Sequence, residues 1–134
     1  MVTKKLKFLF GLSLLLIAAH GIEEVSTGFL YQDSFVSFFS ELFATKIELF
    51  YWSFHIMWWL ILIVAYLLLL GGGWALIPLS LFGIVFFFEI HHVLKAIQTT
   101  GYYPGVISAF FYPILGIFYW KEVIRCWKGK YGRS

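Results

Sequence analysis

KKLKFLFGLSLLLIAAHGIEE, residues 4–24, decides how the rest of the chain is read. Three lysines (Lys4, Lys5, Lys7) lead into an apolar run that ends on His20, Glu23 and Glu24. On a helix, residues three and four apart share a face. The three polar residues therefore form one cluster at the end of an otherwise apolar rod. Two carboxylates and an imidazole at membrane depth are expensive unless paired with each other or with a cation. The run also resembles a secretory signal, but Ile17, Ala18 and Ala19 offer no small-x-small cleavage site before His20. It is read as a retained span.

The whole chain supports that reading. Of 134 residues, 61% are hydrophobic and 13% charged, about half the charge usual in a soluble domain. Four stretches are long enough to cross a bilayer, at about 20 residues each: residues 6–25, 48–70, 74–97 and 104–123. The expected fold is an all-α membrane protein, a single four-transmembrane-helix antiparallel bundle. Arg125, Lys128, Lys130 and Arg133 follow the last span as the lysines precede the first. By the positive-inside rule both termini are expected in the cytoplasm, which four spans allow. This placement accounts for the net charge of +3, and no nucleic-acid partner is expected. The single Cys126 forms no intrachain disulfide; it is an acylation site or, more simply, an interfacial thiol.

Between spans one and two, Asp33, Ser34, Ser37, Ser40 and Glu41 recur at helical spacing, with Phe35, Val36, Phe38, Phe39, Leu42 and Phe43 on the other face. With Asp33 or Ser34 as N-cap, residues 33–44 read as one amphipathic helix lying in the interface, either an anchor or a lid. Span two is aromatic where it begins (Phe50, Tyr51, Trp52, Phe54) and aliphatic where it ends. Gly71–Gly73 read as a tight turn, Pro78 falls in the first turn of span three, and Pro113 is expected to kink span four.

Depth brings the polar residues together. His20, Glu23 and Glu24 end span one, Glu48 and His55 open span two, and Glu89, His91 and His92 end span three. From Trp74 to Glu89 the rise is about 22 Å at 1.5 Å per residue, so all three sets fall in the outer part of the membrane. Glu89 and His92 form E-x-x-H, and His20 and Glu23 the reverse. Paired motifs of this kind hold two metals in carboxylate bundles. The candidate ligands are His20, Glu23, Glu24, Glu48, His55, Glu89 and His92. The cofactor is a divalent metal: zinc if one ion binds, a di-iron or di-manganese pair if two. A metal-free hydrogen-bond network and a proton or cation path use the same groups. His91 points about 100° away from His92, and Glu41 belongs to the wet face of the interfacial helix.

HGIEE (20–24) and EIHHVLKAIQTTGYYPGVISA (89–109) resemble the two signature blocks of the HxxEE-motif family of small polytopic membrane proteins. The resemblance covers spans one, three and four. It singles out His20, Glu23, Glu24, His92, Tyr103, Pro104 and Gly105. Glu89 stands where the family more often has Asn, and Glu48 and His55 lie outside its pattern. The resemblance names a site and no reaction.

The functional expectation is a metal-dependent enzyme, hydrolase or oxidase, acting on a membrane lipid or other apolar small molecule. Glu23 or Glu24 is the candidate general base, and Tyr103 a candidate hydrogen-bond donor to the site or an interface anchor. A cation or proton transporter, a metal sensor and a metal-free scaffold or helper subunit are the alternatives. Oligomeric state is not legible.

Overall fold

The computed structural model describes residues 2–70 and 75–131, and all regular structure among them is helical. The expected Gly71–Gly73 turn lies outside the described residues. Four helical stretches are long and apolar enough to cross a membrane: Lys4–Thr27, Ile47–Leu67, Leu76–Gln98 and Val106–Gly129.

Helix α1 (Lys4–Thr27) starts where the Thr3 hydroxyl accepts from the Leu6 amide. It stops at Gly28, whose φ of 76° lies in the left-handed region and lets its amide bond the Glu24 carbonyl. A short α2 (Phe29–Gln32), not expected from the sequence, precedes α3 (Ser34–Leu42). Asp33 caps α3 by accepting from the amides of Phe35 (2.8 Å) and Val36 (3.1 Å). Helix α4 (Ile47–Leu70) is the second candidate span.

The third and fourth stretches are each interrupted. Leu76–Gln98 divides into α5 (Leu76–Phe82), α6 (Val85–Phe88) and α7 (Ile90–Gln98). At the breaks, i→i+3 bonds tighten the backbone: Ile84 to Leu81, Phe87 to Ile84 and His92 to Glu89. The fourth stretch divides at Phe110 into α8 (Val106–Ala109) and α9 (Phe111–Tyr131). Pro113 has no amide to give the Ala109 carbonyl, and the break falls between them, where a kink was expected.

Helix α9 is the hub. It packs on α1, α5 and α6, while α4 packs on α2 and α3. Leu6, Phe10, Leu79, Phe86, Tyr119 and Val123 anchor a large apolar core. Tyr119 belongs there because its hydroxyl donates to the Leu79 carbonyl at 2.8 Å. A smaller core joins Phe29, Leu30, Val36, Tyr51 and Tyr103. Between the two cores lie the buried histidines: His20 rests on Tyr112 of the first, and His92 on Phe29 and Tyr103 of the second. Span two contributes least to burial, with 11% of its most apolar window inside the protein against 44% for span four. That makes α4 the loosest wall of the site.

Candidate metal centre

Helix α1 presents His20 and Glu24 one turn apart, both buried. The break between α6 and α7 presents Glu89, and α7 presents His92, which is 1% exposed. Three ligand atoms meet: His20 Nε2 to Glu89 Oε2 is 2.9 Å, His20 Nε2 to His92 Nε2 is 3.2 Å, and His92 Nε2 to Glu89 Oε2 is 3.3 Å. Ligand atoms at zinc's usual bond lengths and tetrahedral angles stand about 3.3 Å apart. The three atoms thus approximate one face of such a site, and His20, Glu89 and His92 could hold a metal ion. Glu24 adjoins them, with Oε1 3.5 Å from His20 Nε2 and 3.4 Å from His92 Nε2. Its other oxygen lies 3.6 Å from His55 Nε2 of α4.

The far side of each ring decides what the near side can do. His92 Nδ1 lies 2.6 Å from the Pro104 carbonyl, which can only accept, so Nδ1 carries the proton. His55 Nδ1 likewise donates to the Tyr51 carbonyl at 2.9 Å. His20 Nδ1 lies 2.7 Å from Ser108 Oγ. The single Ser108 proton goes to an acceptor, Glu23 Oε2 at 2.5 Å or the Gly105 carbonyl at 3.1 Å, so here too the ring must donate. In the neutral form each of the three rings would turn an Nε2 lone pair toward Glu24 or Glu89. Nitrogen and oxygen lone pairs converge, and among the described residues the ion-pair partners of both carboxylates are histidines alone. Protons on the Nε2 atoms or a cation would complete the set. Two protonated rings with nitrogens 3.2 Å apart would repel; one divalent ion supplies the same charge at a point and uses the lone pairs.

Several expected residues stand elsewhere. The Glu23 carboxylate accepts from the amides of Ile107 (3.0 Å) and Ser108 (2.8 Å), from Ser108 Oγ, and from the Tyr102 hydroxyl (2.8 Å). It closes the first turn of α8 and orients His20 through Ser108, and its oxygens are taken. Glu48 is exposed and accepts from the Tyr31 hydroxyl at 3.2 Å, away from the cluster. Tyr103 is buried and donates to Asp33 Oδ2 at 2.6 Å, fastening the α3 cap rather than reaching the ligand atoms. Burial and that carboxylate push its phenol above the ordinary range. His91 donates to the Phe88 carbonyl and takes no part among the ligand atoms.

What Tyr103-Pro104-Gly105 does for the site runs through backbone. Pro104 supplies the carbonyl that holds His92. Gly105 has φ 85°, and a Cβ there would stand 2.6 Å from His20 Cε1 and 2.7 Å from His92 Nδ1. Only glycine lets both rings close at that point.

Three participants escaped the sequence reading. Ser108 is the link between Glu23 and His20. Tyr112, four residues on and so on the same helical face, packs its ring 5.4 Å from His20. Tyr51, one turn before His55, packs 4.0 Å from that ring. The Tyr51 and Tyr112 hydroxyls are buried and have no hydrogen-bond partner among the described residues. Compared with known proteins, the chain matches no family model, no curated protein and no solved structure.

Proposed function

We propose that the chain is an antiparallel four-span bundle, with both termini cytoplasmic and α3 lying in the outer interface, whose His/Glu centre binds one divalent ion and hydrolyses an acyl bond of a lipid or other apolar substrate. The observation that carries this is the convergence of three imidazoles on two carboxylates that, among the described residues, no lysine or arginine neutralises. A single group of three ligands, among the described residues, favours one ion over a two-metal oxidase. Mixed His/Glu ligation suits zinc.

Such an ion would supply Lewis acidity and make water a better nucleophile near neutral pH. Glu24 stands beside the three ligands and is steadied by His55, which suits a general base. Glu23 and Ser108 keep His20 in its ligand tautomer. The Glu89 and His55 side chains retain 18% and 21% exposure, and His55 stands on the thinly packed α4, so a membrane-dissolved substrate can enter laterally. The core beyond the site, built on Phe10, Leu79, Phe86 and Tyr119, is apolar and offers ions no onward route. This weighs against a transporter.

The test is fatty-acid release from mixed phospholipid and acylglycerol vesicles by the purified, zinc-loaded protein. Glu24→Gln should lower turnover by at least a hundredfold with zinc per chain unchanged. Zinc-loaded wild type that releases no fatty acid, or a Glu24→Gln variant of full activity, would remove the hydrolase reading.

A further inference from the structure

Burying a hydroxyl without a partner costs about 1–3 kcal/mol, and the described part of this protein does so twice. Both cases adjoin the candidate centre, one through His55 and one through His20. Tyr51 is 1% exposed, on α4 against His55; Tyr112 is 1% exposed, on α9 against His20. Both hydroxyls feel the Glu24 charge, and Tyr112 feels Glu89 as well. Tyr51 lies close enough to Glu24 to interact with its carboxylate, while by distance and angle neither hydroxyl has a partner among the described residues. The contrast within the protein is informative. Tyr119 and Tyr103, also buried, donate to Leu79 and Asp33. Phenylalanine would fill the positions of Tyr51 and Tyr112 without stranding an oxygen. Two stranded donors beside a site rich in acceptors point to a third party that accepts.

We propose that the Tyr51 and Tyr112 hydroxyls form a two-donor subsite for a substrate oxygen that gathers negative charge, the carbonyl oxygen of an acyl group. This rests on the hydrolase reading above and names what the centre grips. Phenols donate well to a developing oxyanion. The set is also selective by chemistry, since a hydrocarbon would leave both donors stranded and a cation would prefer the carboxylates.

Acetohydroxamate, a small acyl anion that chelates zinc, is a suitable probe. Its affinity is measured by titration calorimetry on zinc-loaded wild type, Tyr51→Phe, Tyr112→Phe and the control Tyr119→Phe, with zinc per chain determined on each sample. The expected result is about a tenfold loss of hydroxamate affinity in each of the first two variants. Their zinc content should be unchanged, and their Tm without hydroxamate at or above that of wild type. Tyr119→Phe should bind hydroxamate as wild type does. Unchanged affinity in Tyr51→Phe and Tyr112→Phe, with zinc retained, overturns the subsite and leaves the metal centre standing. Wild type without zinc overturns both. If either variant fails to fold, tyrosine ultraviolet difference absorption of wild type on adding hydroxamate decides: a tyrosine signal supports the subsite, and none overturns it.

Discussion

Buried acids occur at both ends of this protein, and they are neutralised in different ways. Glu122 is 3% exposed, yet Lys5 lies 3.4 Å away, Arg125 3.0 Å away, and the Thr3 hydroxyl donates at 3.2 Å. Its countercharge is built into the chain, and it ties the start of α1 to the end of α9. Among the described residues the ion-pair partners of Glu24 and Glu89 are histidines, each with its Nδ1 proton committed to the far side of the ring. A carboxylate with a resident cation fastens helices. Carboxylates whose neighbours are imidazoles could hold a cation that arrives.

The largest expected effect separates these two ends. Glu89→Gln should lower bound metal per chain at least tenfold, because it removes both a ligand and the charge that draws the ion. Glu122→Gln should leave metal per chain untouched and lower stability instead, by about 1 kcal/mol, since the exposed Lys5 and Arg125 lose their shared partner. Elemental analysis beside thermal melts checks both. Metal loss in Glu122→Gln would break the contrast.

Gly105→Ala should come next. The added methyl meets both histidine rings and stands at φ 85°, so metal binding should fall with stability, the latter by about 1–3 kcal/mol. A variant that keeps both would mean that the rings are not held where the ion needs them.

Ser108→Ala is the gentlest and the sharpest. It frees the His20 Nδ1 proton from its acceptor while the Glu23 bonds to the Ile107 and Ser108 amides remain. Metal affinity should drop about 10- to 100-fold, the usual effect of losing such a support, and the metal-free protein should lose about 1 kcal/mol as the buried Nδ1 proton is stranded. Equal affinity in competition with a chelator would reduce Ser108 to a packing residue.

Much of the site was legible because helical periodicity fixes both face and depth. His20, Glu24, His55, Glu89 and His92 follow from spacing and from the alternating direction of the spans. Periodicity could not tell Glu23 from Glu24, since both lie within a turn of His20; the free amides opening α8 claim the first. Glu48 shares a face with His55, but seven residues put it about 10 Å further along the axis, where it is exposed. Tyr103 was read through its side chain, while the site uses the carbonyl and the bend of the two residues after it. Backbone groups leave no such mark in a sequence. Glu122, beside Lys121 and near Arg125, reads as an ordinary charge at a helix end. The four stretches read from the sequence overlap the four helical stretches long and apolar enough to cross a membrane, whereas the breaks at Gly83, Glu89 and Phe110 depend on packing against neighbouring helices.

The central claim is that the converging lone pairs hold a metal. The direct measurement is the metal content of wild-type protein purified in detergent without any chelator, with Tm recorded before and after dialysis against one. About one divalent ion per chain, and a lower Tm once it is removed, is the predicted result. Fully folded protein that carries no metal and melts at the same temperature with or without chelator would contradict it.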